Sequence, residues 1–319
     1  MLKVLIAVDV EIWPLSRDPG PEGFRNDFRR FIFGPTEHGD FGLPYQLKLL
    51  KRHGLKGIFL VDALFAAVHG MEYLREVVDL IRGEDQEVQL HLHTEWVDRV
   101  DDLLPGRGGR HIRDFTQDEQ ALLIRHGIES LEACGVEKVI AFRAGNFGAN
   151  FDTLRALAGN GILFDTSYNY PYLDSACSLR MEEAVMQPRR LEGVFEFPVQ
   201  FYHQGFGKPN HVQFGACSCG ELTALLEQAA GMGWYAFQVL SHSFEFLDAR
   251  RRGPDRIVAR RFERFLEYLE AHRDRFETCW FSDLDPGRIP VDIRTGPLRS
   301  NPFRTAWRYG EQLMRRLIS

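Results

Sequence analysis

Asp9 and Glu11 stand two apart after the apolar run Val4-Leu5-Ile6-Ala7-Val8. In a strand, residues i and i+2 point to the same face, so the two carboxylates converge at the strand's end. Unpaired charge is costly there unless a cation or a shared proton offsets it. His91 and His93 repeat the pattern: Leu90 and Leu92 turn one way and the two imidazoles the other. Oxygen and imidazole ligands suit zinc or a related first-row divalent ion. The ordinary alternatives are a solvated loop edge for the acids and a hydrogen-bonded structural role for a histidine. Two histidines on one face favour ligation. Glu95, four residues after His91, competes with His93 to complete a set with Glu11 and His91.

Three further strand-end segments carry candidates. Arg143, in Phe142-Arg143-Ala144-Gly145-Asn146, can pair with a carboxylate and fix it, or bind an anion. A rim salt bridge is the bland alternative. Asp165, in Phe164-Asp165-Thr166-Ser167-Tyr168, can orient a site residue or cap a strand end. Asn146, Asp165 and Tyr168 are the candidates for substrate contact. His242, in Leu240-Ser241-His242-Ser243, is suited to protonate a leaving amine. A metal polarises a carbonyl and acidifies water, and a nearby acid takes the proton. These are the parts of an acyl-transfer hydrolysis.

Positioning them requires strands that all end at one rim. The patterning predicts strands at 2–11, 57–61, 88–93, 139–142, 194–201, 235–241 and 278–281. Pro198 makes the fifth an edge or bent strand. Helices are predicted at 44–54, 72–82, 151–158, 220–230 and 255–273. Another opens at the capping box of Thr116 and Glu119 and ends at Gly135. Alternation of this kind implies βαβ units and a mostly parallel sheet. The expected fold is a distorted α/β barrel of about seven parallel strands spanning residues 1–285, with an open doubly wound sheet as the alternative. No Gly-x-Gly-x-x-Gly follows the first strand, which removes the main support for a dinucleotide fold. Segments 14–42, 96–114 and 167–193 read as long loops, which in a barrel gather around the rim that holds the site.

The chain of 319 residues carries a formal net charge of −6. That balance gives no support to nucleic-acid binding. No apolar stretch approaches the roughly 20 residues of a membrane span, and the amino-terminal residues do not read as a signal peptide, so a cytoplasmic location is expected. Five scattered cysteines resemble no disulfide framework. Cys217-Ser218-Cys219 has no second pair at zinc-finger spacing. Residues 286–319 form a basic carboxy-terminal extension in which Phe303, Trp307, Leu313, Met314 and Leu317 interleave with Arg304, Arg308, Arg315 and Arg316. Peripheral membrane contact is one reading. An ordinary amphipathic helix packed on the barrel is the favoured one, since Gly310 interrupts the pattern.

The ordered motifs Val8-Asp9-Val10-Glu11, His91-Leu92-His93, Phe142-Arg143-Ala144-Gly145-Asn146 and Leu240-Ser241-His242 resemble the polysaccharide deacetylases of carbohydrate esterase family four. The resemblance spans about residues 2–285, closing on Trp280-Phe281-Ser282-Asp283-Leu284. It implies a metal-dependent hydrolase that removes an N-acyl group, such as acetyl, from a sugar or glycan. Asp9 would be the base, Glu11 a metal ligand with His91 and His93, Arg143 the residue that orients the base, and His242 the acid. The first motif here is Asp-x-Glu where the family has adjacent aspartates. The second has Glu95 where the family's second histidine falls four residues on. Hydrolysis of another C–N bond, in a formamide or cyclic ureide, and a non-catalytic carbohydrate-binding role are the competing functions.

Overall fold

The computed structural model describes residues 1–13, 19–100, 102–173, 175–251, 253–291 and 293–318, with the backbone alone for Leu317 and Ile318. Its framework alternates strands and helices. In chain order these are β1 (Leu2–Val10), α1 (Gly20–Phe28), α2 (Leu43–His53), β2 (Ile58–Asp62), α3 (Met71–Gly83), β3 (Glu87–Leu92), α4 (Gln117–Ala133), β4 (Ala141–Ala144), α5 (Phe151–Gly159) and β5 (Phe164–Asp165). There follow β6 (Arg189–Leu191), β7 (Val194–Glu196), β8 (Phe201–His203), β9 (Pro209–His211), α6 (Cys219–Gly231), β10 (Ala236–His242), α7 (Arg256–Ala271), β11 (Phe276–Thr278), β12 (Leu298–Arg299) and α8 (Pro302–Ile318).

The main sheet runs β10–β1–β2–β3–β4–β5–β7–β6, with β11 also paired to β1. The first seven strands of that path are parallel and β6 pairs antiparallel with β7. The sheet curls into a distorted α/β barrel, as expected.

Period-two alternation decides which side chains enter the barrel. Leu5, Ala7, Ile58, Leu60, Ala141, Phe164, Phe195, Phe197 and Ala236 pack together inside. The alternate residues Val4, Ile6, Val8 and Val10 pack on the helical layer. On β1 the interior series Leu5, Ala7 continues to Asp9 and Glu11, apolar at the bottom and acidic at the rim. On β2 it reaches Asp62, on β3 Gln89 and His91, on β4 Arg143, and on β10 Gln238 and His242. Register keeps these ends level: Asp9 is opposite His242, Asp62 opposite His91, and His91 opposite Arg143.

Closure between β10 and β7 uses side chains. Gln187 Oε1 accepts from the amides of Tyr235 (2.8 Å) and Ala236 (3.1 Å), and its Nε2 donates to the Ala236 carbonyl at 2.9 Å. Gln200 Oε1 accepts from the Gln238 amide. Further up, the Leu240 amide donates to the Val212 carbonyl at 3.0 Å.

Four expectations change. The run 194–201 is two strands in two sheets: β7 stays in the barrel, and β8 pairs with β9 and β12. Pro198, which lacks an amide hydrogen, lies between them. The last strand ends at Thr278, and Phe281–Asp283 is a single 3-10 turn capped by Asp283, whose Oδ2 accepts from the Trp280 amide at 2.7 Å. β4 begins only at Ala141, because the Ile140 and Ala141 amides donate to the Gln89 side chain, both at 2.8 Å. The segment 14–42 is not all loop. It holds α1, a π-helical turn at Arg29–Phe33 and a short hairpin, while residues 14–18 lie outside the described residues.

Candidate metal centre

Glu11, His91 and His93 come together. All three are buried, and their ligating atoms lie within 4.8 Å of one another. Glu11 Oε2 is 3.3 Å from His91 Nε2 and also faces His93 Nε2. Each imidazole is held through its other nitrogen. His91 Nδ1 donates to the Arg143 carbonyl at 2.7 Å, and His93 Nδ1 meets Glu95 Oε2 at 3.2 Å. A histidine that donates through Nδ1 presents its Nε2 lone pair, which is how proteins prepare imidazole for a metal. A buried carboxylate and two such imidazoles therefore fit a divalent cation.

Glu95 does not join the three ligating atoms. Its Oε2 backs His93, and its Oε1 accepts from Asn146 Nδ2 at 2.7 Å. The backbone at Asn146 and Phe147 is left-handed, with φ of 53° and 59°. Such strain in non-glycine residues is held by its surroundings and concentrates at functional sites. Gly145 permits the approach: a Cβ there would meet the Leu92 carbonyl at 2.6 Å and the His93 ring at 3.0 Å.

Asp9 and His242, opposite one another on β1 and β10, lie beside this cluster. Asp9 Oδ1 accepts from Arg143 Nη1 in a buried ion pair. Arg143, wholly buried, is pinned from behind: Nε donates to the Thr166 carbonyl at 3.1 Å, and Nη2 to Thr166 Oγ1 at 3.3 Å. His242 Nε2 is 3.8 Å from Glu11 Oε1. Its Nδ1 pairs with Glu245 Oε2 at 2.8 Å, and Gln213 Nε2 donates to Glu245 Oε1 at 3.0 Å.

These pairings set protonation. Burial pushes the Glu11 carboxyl up, but the facing His93 and the close contacts with His91 and His93 take it well below the ordinary carboxylate range. Burial pushes the His242 imidazole down, yet Glu245 overrides it and raises the value to about 9. His211, buried nearby, is held down to about 4 by burial and by His242.

Asp9, Glu11, His91, Asn146 and His242 line a cavity of about 560 Å³, together with Trp13, Arg110, His111, Tyr172, His211 and Gln213. Trp13, 45% exposed, also borders two adjoining cavities. One, of about 550 Å³, runs along Trp96, Arg99 and Arg110. The other runs along Phe244, Asp248 and Arg251. Trp13 is common to the lining of all three.

Two expected substrate contacts are corrected. Asp165 and Tyr168 are buried and line none of these cavities. Phe164 takes the interior position on β5, so Asp165 points the other way, toward the helical layer. There it lies opposite Glu196 of β7. Tyr168 Oη accepts from the Val185 amide at 3.2 Å. Sequence reasoning missed Asp62, Gln213 and Glu245. Asp62 Oδ1 accepts from the His93 amide at 3.1 Å and Oδ2 from Trp96 Nε1 at 2.8 Å. Its signal, an acid ending the run Ile58-Phe59-Leu60-Val61, was the same as that of Asp9. Gln213 reaches the site from a distant loop and leaves no local signal.

No family model matches this sequence, and no curated protein matches it. Solved structures do. A "putative polysaccharide deacetylase" from Mycobacterium smegmatis aligns over 93% of this chain and 94% of its own, at 19% identity and a TM-score of 0.60. A 4-alpha-glucanotransferase from Thermococcus litoralis aligns over 88% of this chain and 38% of its own, at 9% identity and a TM-score of 0.50. A family 4 carbohydrate esterase from Streptomyces lividans, in complex with acetate, aligns over 92% and 97%, at 12% identity and a TM-score of 0.45. At these identities the likeness is one of fold.

Proposed function

We propose that the chain is a metal-dependent hydrolase that removes an N-acyl group, most simply acetyl, from a sugar within a glycan or glycan precursor. One observation carries the reading: an arginine-held carboxylate, Asp9, and a glutamate-backed imidazole, His242, line one cavity with Glu11 and His91 of the Glu11–His91–His93 cluster. Those three residues would hold the cation, zinc by its donor set. When bound, it would polarise the acyl carbonyl and acidify water.

The residues supply the rest. Asp9 accepts the proton of the attacking water, and Arg143 keeps its carboxylate turned toward the cavity. His242, protonated while Glu245 is anionic, gives its proton to the leaving amine. Asn146 and Trp13 border the space the sugar would occupy. The M. smegmatis structure, with its deacetylase description, supports the reaction class. Three neighbouring cavities bordered by Trp13 favour a glycan over a small metabolite such as a formamide or ureide, which a single closed pocket would suit.

The test is acetate release from N-acetylated oligosaccharides and sugar precursors by the zinc-loaded protein, against the Asp9→Asn and His242→Ala variants. Acetate from wild type alone supports the reading. A fully metallated protein that releases none from any of them sinks it. Stoichiometric sugar binding with no cation retained would favour the non-catalytic role.

A further inference from the structure

The carboxy-terminal helix α8 packs the wrong way round for a helix of a water-soluble surface. Thr305, Arg308, Glu311 and Arg315, at spacings of three and four, form the stripe that faces the barrel. Thr305 Oγ1 donates to Glu221 Oε1 at 3.2 Å, and Arg308 Nε pairs with Glu221 Oε2 at 3.0 Å. Glu311 Oε2 pairs with Arg261 Nη2 at 2.6 Å, and Arg315 pairs with Asp255. The opposite stripe is apolar and exposed: Phe303 is 87% accessible, Trp307 69%, Leu313 59% and Met314 54%. Phe206, itself exposed, stacks on Tyr309 and widens the patch. The helix is thus fixed by its polar face and offers its apolar face outward, contrary to the expected packing. Leu317 lies outside the residues whose side chains are described.

We infer that this face is a docking surface for an anionic lipid bilayer. Exposed apolar area of this kind marks an interaction site. Charge chooses the occupant. Arg308, Glu311 and Arg315 are paired with the barrel, which leaves Arg304 and Arg316 as the helix's exposed charges, both positive, in a chain whose net charge is −6. Arg304 and Arg316 are exposed, at the two margins of the apolar stripe. From there their heads reach the headgroup layer while Trp307 and Phe303 enter the acyl boundary. A second copy fits less well, because pairing two such faces brings the exposed Arg304 and Arg316 of both copies together.

The experiment is co-sedimentation of the full chain with phosphatidylcholine vesicles, with and without phosphatidylglycerol, alongside its mass by light scattering. The expected result is a monomer that sediments with the phosphatidylglycerol vesicles and is released by salt. The Phe303→Ser/Trp307→Ser and Arg304→Glu/Arg316→Glu variants should each weaken binding about tenfold or more. All four positions are exposed, so thermal melting should stay at the wild-type value. Any of three results overturns the proposal: no sedimentation with either vesicle, equal sedimentation with both, or a dimer that Phe303→Ser/Trp307→Ser dissolves. Vesicle binding needs no deacetylase activity, so the two readings fail separately.

Discussion

His91 is oriented by Arg143: its Nδ1 donates to the Arg143 backbone carbonyl at 2.7 Å, while the Arg143 side chain grips Asp9. One residue therefore sets both a proposed ligand and the proposed base. The backbone half survives any substitution, and the guanidinium half does not.

Arg143→Lys should keep metal binding near wild type and lower kcat by about 10–100-fold, because an ammonium cannot hold Asp9 and Thr166 together with a planar fork. Arg143→Ala leaves Asp9 buried and unpaired, and should destabilise the protein by about 3–5 kcal/mol. Equilibrium zinc titration, steady-state kinetics and denaturant melts separate the two effects.

Glu95 backs His93 without joining the ligand cluster. Glu95→Ala should weaken zinc binding about 10–100-fold, the usual cost of losing a ligand's hydrogen-bond partner. Glu11→Ala should abolish stoichiometric binding. Isothermal titration on chelator-treated protein reads both, and equal losses would promote Glu95 to ligand.

His242 should impose an alkaline limb. Its folded value is raised to about 9, mainly by Glu245 against burial. The protonated form persists below that value and is lost as pH rises through it. Activity that needs the acid therefore falls above about 9. Glu245→Gln removes the stabilising anion, so the limb moves toward the ordinary histidine value of about 6.5. A pH–rate profile of both proteins, with metal saturation checked at each pH, measures the shift.

Asp165 and Glu196 face one another in the helical layer, and Asp165 Oδ2 and Glu196 Oε2 lack donors. One shared proton satisfies both. Burial first, and the neighbouring carboxyl next, holds Glu196 well above its ordinary value. The folded state therefore keeps a proton that the unfolded chain gives up above its carboxylate range. Stability is greatest at or below that range and declines as pH rises toward the folded value. Glu196→Gln should flatten this decline and raise Tm at pH 8 relative to wild type, as read by calorimetry across pH.

Asp9, Glu11, His91 and His93 were legible because long strands repeat with period two and end in polar residues. Asp165 was not, because β5 is only two residues long and carries no periodicity to say which face is interior. The bend at Pro198 was readable, but the transfer of Phe201–His203 to another sheet depends on pairing with β9 and β12. The helical pattern of residues 303–317 was legible too. Which of its faces meets the barrel depends on Glu221, Asp255 and Arg261, far away in sequence.

The glutamine closure gives the barrel a preferred line of opening. On one side of β10 the backbone ladder to β1 must break before the strand can leave. On the other, the side-chain bonds of Gln187 and Gln200 and the short backbone pairing of Leu240 with Val212 and Phe214 hold it. Amide exchange should record this asymmetry: Ala236 and Gln238, which donate to those side chains, should exchange through small fluctuations, and Phe237 and Val239 only through larger ones. Because His242 on β10 and Asp9 on β1 are opposite one another across the intact ladder, the barrel can part along this line without changing the spacing between the two groups assigned to move protons.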